Sequence, residues 1–418
     1  MYKLNKLGLP IFFIPLLLIS GPLLTDLTVT LSAIIFLIFT VINKTYHHFN
    51  NKYFIFFLCF WIFISVNSLA SENISSIKSS LTYLRFGVFF VLLSYLFNLD
   101  DNFPENFKKV ILFSILILFI DSLIQYFVGY NTIGLPRSGR ISSFFGDEKI
   151  MGSYIVKLVP IYISLYFFKK KLVKLDLQIV LILFICIILI LLSKERSALG
   201  LFILYISLLS FIFFDKKKHF IIYFFTIFSF LTLIFSTNEE LYNRFILQVI
   251  NESKVEIENK NTNETVLIEQ KKNKFIIFTK THDHLIRESF KMFLDKPLIG
   301  HGTKMFRYKC SAKYSENESK LNCNTHPHNY YFQMLSENGL IGLFFLTIMF
   351  FYFFINYFKN LFLGNRFKHL NLFILPNIIN LWPIIPHGNF FNNWISVTIF
   401  LSIGFYIGYT QLKLFKND

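Results

Sequence analysis

The sequence predicts an all-α polytopic membrane protein of about twelve transmembrane helices with one large external loop. Three observations carry this expectation. Hydrophobic residues make up 54% of the 418-residue chain and the mean hydropathy is +0.53, above what soluble domains usually show. Apolar runs recur from residue 9 to residue 411, and a span needs about 20 mostly apolar residues. The net charge of +16 sits mostly in short loops between those runs. That is the pattern of membrane topology, so no nucleic-acid partner is expected.

The first run, 9–24, follows Lys3 and Lys6 and looks like a signal peptide. No small-residue cleavage site follows it, and the run 27–42 comes directly after, so it reads as an uncleaved helix. The further spans are expected at 53–69, 81–97, 109–128, 153–168, 176–192, 198–214, 219–236, 336–358, 370–386 and 394–411. With the N-terminus in the cytoplasm, eighteen Lys and Arg fall on the cytoplasmic side and six in the short external loops. The excess puts both termini inside. No internal repeat and no broken midplane helix is evident.

The chain therefore divides into helices 1–9 (residues 1–236), an external loop (237–335) and helices 10–12 (336–418). Within the loop, 251–274 is polar and charged, with few apolar anchors. Thr281–Leu294 follows helical spacing through Leu285, Ile286, Ser289, Phe290, Phe293 and Leu294, and Pro297 ends it, so a short amphipathic helix is expected there. Cys59 and Cys186 fall in apolar helices. Cys310 and Cys323 fall in the external loop with twelve residues between them, where an oxidising compartment favours a disulfide.

The sharpest local signal is Thr325-His-Pro-His-Asn-Tyr-Tyr-Phe-Gln-Met-Leu-Ser-Glu-Asn-Gly-Leu-Ile-Gly342, where the loop re-enters the membrane. Its His328-Asn329, nine residues, Gly339 and Gly342 resemble the His-Asn-x9-Gly-x-x-Gly signature of O-antigen ligases and related Wzy-type proteins. Upstream, Pro297-Leu-Ile-Gly-His-Gly302 is similar to the Pro-Leu-x-Gly-x-Gly stretch of that family. Arg140-Ile-Ser-Ser-Phe-Phe-Gly-Asp-Glu148 resembles its Arg-x-x-Gly-x-Phe-Gly-Asp-Glu run, with Ser143 at the glycine position. The resemblance in topology spans nearly the whole chain. In motifs it covers about residues 137–153, 194–200 and 287–343.

The resemblance implies a membrane-embedded, polyprenyl-using glycosyltransferase of the bacterial inner membrane with its active site facing the periplasm. The implied donor is a glycan on undecaprenyl diphosphate, and the implied acceptor is a lipid A core sugar or another glycolipid. Membrane lipids surround both, and no cofactor is implied. A Wzy-type polymerase or a transferase to protein hydroxyls lies within the same superfamily. A polysaccharide or lipid transporter is the alternative from another class.

The chemistry narrows the candidate residues. Transfer from a lipid diphosphate needs a base for the acceptor hydroxyl and cations for the leaving group. Histidine titrates in the useful range, and arginine grips phosphate in bidentate fashion. His328 is the expected base, although a structural histidine near a helix start is the plainer reading of its position alone. His326 and Asn329 are its expected supports at the substrate, and Pro327 fixes the turn between the histidines.

Arg196, in Ser193-Lys-Glu-Arg-Ser-Ala-Leu-Gly200, matches the Arg-[Ser/Gly] position at this helix start and is expected to hold diphosphate; an interface anchor is the alternative. Arg287, on the amphipathic helix, matches a family arginine before the Pro-Leu-x-Gly-x-Gly stretch; a solvated helix face is its alternative. Arg137 and Arg140 form an external basic pair suited to phosphate or anionic headgroups. Arg85 opens a helix on the same side and joins the substrate-binding candidates. His282, His284, His301, His326 and His328 with two cysteines raise a zinc site, but their spacing fits no closed zinc motif, so no metal is expected.

Overall fold

The computed structural model describes residues 8–214, 217–253, 279–310 and 323–415. Regular structure among them is helical, apart from single bridges between Tyr130 and Pro136 and between Ser138 and Arg140. Two short helices, α1 (Gly8–Phe12) and α2 (Ile14–Ile19), precede α3 (Pro22–Ile42). Then come α4 (Lys52–Leu69), α5 (Ile74–Leu81), α6 (Leu84–Leu99), α7 (Phe103–Val128) and α8 (Met151–Phe167). The chain continues through α9 (Leu177–Ser193), α10 (Arg196–Phe213) and α11 (Lys217–Thr237). A π turn, Asn243–Leu247, joins α12 (Glu239–Tyr242) to α13 (Gln248–Ser253). Last are α14 (Lys280–Asp295), α15 (Phe306–Lys309), α16 (Tyr330–Phe362), α17 (Lys368–Asn380) and α18 (Asn393–Phe415).

Seven of the described helices are long and apolar enough to cross a membrane, counting Ile74–Leu99 as one, and α8 and α9 are shorter apolar helices of 17 residues each. The run 9–24 is not one helix. Phe13 interrupts it, and Ser20-Gly21-Pro22 starts a new axis, with Gly21 at φ +113°. The run 370–386 is helical only to Asn380, and residues 381–392 continue without helix. The amphipathic segment of the loop forms α14, with Thr279 accepting the His282 amide at its start. The polar stretch 251–274 lies, from residue 254, outside the described residues.

α16 is broken within its length, which the sequence did not suggest. In α16 the break is at Gly339 (φ 60°, ψ −161°). The segment Pro297–Gly302 passes through this break. Pro297 O accepts from Leu340 N (2.8 Å), and Leu298 O accepts from Ile341 N (3.3 Å). On the other side, Ser336 O accepts from His301 N (3.2 Å) and Glu337 O from Gly302 N (2.7 Å). The glycines of both sequence motifs thus serve one interlock, in which backbone groups freed by the break are re-paired as a buried segment requires.

α8 lies at the centre of the bundle, buried at every residue from Tyr154 to Phe167. α18 packs closely on α6. A Cβ added at Gly404 would meet Leu93 Cβ at 2.7 Å, and one at Gly408 would meet Phe97 Cβ at 2.7 Å. Small residues one turn apart let the two backbones approach. At one end of the bundle Lys170 pairs with Asp176 (2.8 Å) and its carbonyl accepts from His369 (2.8 Å), which joins the lysine-rich loop after α8 to the start of α17.

Candidate functional site

The opposite end holds a cavity of about 960 Å³. Its wall draws on the segment between α2 and α3, the loop before α8 and the first turns of that helix, the start of α10, α14, the segment that follows it to Arg307, the approach to α16, and the strap 384–395. Among the described residues its lining carries seven cations, Arg140, Lys149, Lys157, Arg196, Arg244, Lys304 and Arg307, against two carboxylates, Glu148 and Glu195. His282, His326, His328 and His387 also line it. Arg140, Lys149 and Arg244 border a shallower polar depression beside it as well.

His328 is fixed through the start of α16. Asn329 caps this helix, accepting from Tyr331 N (2.9 Å) and Phe332 N (3.3 Å). Its amide nitrogen donates to Pro383 O (2.8 Å) and Ile385 O (3.2 Å), which ties the helix start to the non-helical segment after α17. The His328 carbonyl accepts from His387 N (2.7 Å) in the same strap. The backbone of His328 is left-handed (φ 54°), and so are Lys149 (φ 44°) and Lys304 (φ 60°) on the same cavity. Strained backbone at non-glycine residues persists where the surroundings over-determine it, and it gathers at functional sites.

The His328 and His326 rings lie 4.1 Å apart, and His282 meets His328 edge-on at 5.5 Å. Asn324 Nδ2 donates to His328 Nε2 (3.0 Å), while its Oδ1 accepts from Thr325 N (2.7 Å). His326 pairs with the Thr325 hydroxyl (2.9 Å). Burial lowers the pKa of His328. Burial, helped by the neighbouring His328, pushes that of His326 down to about 3. Both rings are therefore neutral near pH 7. Among the described residues, no group of three or more His, Cys, Asp or Glu is arranged to hold a metal ion.

Each cation is placed by a traceable device. The loop bearing Arg140 is clamped from α7. Asp121 accepts from the Ser143 hydroxyl (2.5 Å), the Thr132 hydroxyl (2.5 Å) and Thr132 N (2.8 Å). One turn on, Gln125 Oε1 accepts from Ser143 N (2.8 Å) and Ser142 N (3.2 Å). Arg196 opens α10 directly after Lys194 and Glu195, which form the whole turn from α9. Glu195 reaches across to cap α8, accepting from Gly152 N (2.6 Å), Ser153 N (3.1 Å) and the Ser153 hydroxyl (2.7 Å). The start of α8 is thus already capped by a carboxylate, while the positive end of α10 carries Arg196 on the cavity wall, an arrangement that favours anions. Arg244 is held against the same turn through Lys194 O (3.4 Å).

Lys304 and Arg307 depend on the interlock. The buried Glu337 carboxylate accepts from Lys304 N (2.9 Å), Phe306 N (3.1 Å) and Gln333 Nε2 (2.9 Å). The Cys310–Cys323 disulfide joins the end of α15 to the approach to Asn324. It therefore couples Arg307 to the histidine pair.

The structure brings His328, His326, Arg196 and Arg140 onto one cavity. It keeps three expected arginines off the lining. Arg287 pairs with Asp283 (2.6 Å) one turn back on α14 and stands about 140° around the helix from His282. Arg137 lies over the Tyr126 ring (4.9 Å) and 3.8 Å from Glu240. Arg85 pairs with Asp26 (2.7 Å) and Asn393 (2.9 Å). These carboxylates are distant in sequence or outside any motif, except for the i, i+4 pair Asp283–Arg287, which the sequence does expose. Asn329 acts as a cap and tie and is not part of the lining. Lys149, Lys304 and Arg307 were not among the residues the sequence pointed to, although each lies within five residues of a motif. Arg244 and His387 were not among them either, and no motif gave a signal for them.

Residues 181–347 match the family model described as O-antigen ligase, which supports the O-antigen ligase superfamily for this chain. That family implies a polyprenyl-linked glycan donor and a glycolipid acceptor in general. No curated protein matches the chain.

Proposed function

We propose that this chain of the O-antigen ligase superfamily transfers a glycan from undecaprenyl diphosphate to a lipid A core sugar at the periplasmic face of the inner membrane. The observation that carries the reading is the placement of His328 on the same cavity wall as seven Lys and Arg side chains. The donor diphosphate takes Arg196, Arg140, Arg244 and Arg307, supported by the positive end of α10. The acceptor hydroxyl displaces Asn324 from His328 Nε2. As its oxygen attacks the anomeric carbon, its proton passes to Nε2 and the glycosidic C–O bond breaks. The electron pair leaves with the diphosphate, which gains one negative charge beside the cations. A single displacement inverts the anomeric centre. The depression shared through Arg140, Lys149 and Arg244 gives the polar glycan an open path away from the membrane.

In this reading both termini are cytoplasmic and no metal takes part. A broken helix is shared with transporters, so the distinction rests on covalent chemistry at His328. The test is a deletion strain analysed by lipopolysaccharide gel. Loss of the long-chain ladder with accumulated carrier-linked polymer is the expected result. A retained single-repeat band would indicate polymerisation. Loss of the ladder with the carrier-linked glycan stranded on the cytoplasmic side would indicate transport.

A further inference from the structure

Among the described residues, Lys157 is a cation of the cavity wall that sits within an apolar helix and not at its end. Its side chain is almost fully buried (3% exposed), in the helix at the centre of the bundle. Its ammonium donates to Asn380 Oδ1 at 3.1 Å, and among the described residues no carboxylate pairs with it. Asn380 is held for this contact, because its amide nitrogen donates to Thr398 O and Ser402 Oγ, each at 3.3 Å. It is also the last residue of α17, so the negative end of a helix that stops inside the bundle points toward Lys157. Beside it, His387 donates from Nε2 to Trp382 O (2.6 Å) and stacks on Tyr330 at 4.1 Å.

A neutral carboxamide and a helix end balance a buried ammonium only in part. A charge in a span is costly without a full countercharge. The open side of Lys157 is the cavity. Its depth says which anion it meets. Gly152, at the start of α8, packs on Ser193 and Ala198, at the level of Arg196. Lys157 stands five residues further in, about 7 Å along the helix. A lipid diphosphate entering from the membrane carries one phosphate on the sugar and one on the isoprenoid chain, and the deeper cation meets the second.

We propose that Lys157 is an inner anion subsite that binds the lipid-side phosphate of the donor diphosphate. This rests on the glycosyl-transfer reading above and adds a binding residue to it. New charge develops on the sugar-side phosphate when the C–O bond breaks. Lys157 therefore contributes to donor binding more than to the chemical step.

The test uses the full-length protein in lipid nanodiscs, with inorganic pyrophosphate and inorganic phosphate as probes. Wild type binds pyrophosphate more tightly than phosphate. Lys157→Gln should weaken pyrophosphate binding by about tenfold or more, leave phosphate binding nearly unchanged and raise the donor KM more than it lowers kcat. Lys157→Arg should restore most of the difference. A purely structural lysine would instead lower the active fraction with KM and the pyrophosphate preference intact, which overturns the proposal. Should Lys157→Gln not fold, Lys157→Met is read in its place, and misfolding of both assigns the lysine to the core and also overturns it. Wild type that binds neither probe would overturn the diphosphate reading of the whole cavity, which separates that failure from this one.

Discussion

The carbonyl oxygen of Leu298 occupies the space that a Cβ on Gly339 would need. Two motifs about forty residues apart therefore meet as one joint, and the joint sets Lys304, Arg307 and His328 around the cavity.

Gly339→Ala should break that joint. Its φ of 60° with ψ −161° suits glycine alone, and the new methyl group would strike backbone, which cannot yield. Folded protein in the membrane should fall sharply. Gly200→Ala, whose methyl would meet only the end of Ile385 at 3.4 Å, should be tolerated. Equal abundance and thermal stability of Gly339→Ala and wild type would sink the interlock.

The disulfide makes a separate prediction. Cys310 and Cys323 should resist thiol labelling in native membranes until they are reduced. Replacing both by Ser should cost up to about 3 kcal/mol, the size expected for a loop of this length. Ready labelling of both cysteines without reductant would show that the pair is open in the cell.

The arginines should separate by position. Arg196→Ala and Arg307→Ala should each lower transfer by tenfold or more at normal protein abundance, because each removes a cation from the cavity wall. Lys at Arg196 should recover little, since a point charge does not reproduce the guanidinium fork. Arg287→Ala, already paired with Asp283 and off the lining, should cost less than either. Greater loss in Arg287→Ala than in Arg307→Ala would move the diphosphate toward α14.

The same positions mark what was legible in the sequence. Hydropathy located the long helices, because a bilayer demands apolar length. It could not see the early end of α17, since Leu381-Trp-Pro-Ile-Ile stays apolar through the change of backbone, and the break at Gly339 falls in the first turn of the apolar run 336–358. His328 and Arg196 were readable from motifs. The sorting of Arg85 and Arg137 away from the cavity was not, because Asp26 and Glu240 reach them only after folding. Arg307 and Lys304 lie just past a motif, but their place on the wall was hidden for a related reason: Glu337, which holds their segment, looks from sequence like one more residue of a helix.

His328 carries the last prediction. Its pKa is lowered by burial from 6.5, so the ring is a free base at pH 7 and stays one somewhat below pH 6.5. Transfer should therefore hold level from pH 7 down past 6.5 and then fall as the ring takes a proton. Stability should follow with the same sign. His326 and His387 are also lowered by burial, each to about 3, so between that value and 6.5 the unfolded chain binds protons that the folded chain does not. The stability they contribute is whole above pH 6.5 and is lost as pH falls through that window. Activity and stability are separated by measuring both on one purified sample. His328→Ala should keep its fold and its pyrophosphate binding, lose transfer by at least about a hundredfold, and lose the acid limb from whatever rate remains. Wild-type turnover should survive EDTA. Retained turnover in His328→Ala would remove the base from this site, and a loss with EDTA that zinc restores would put a metal in its place.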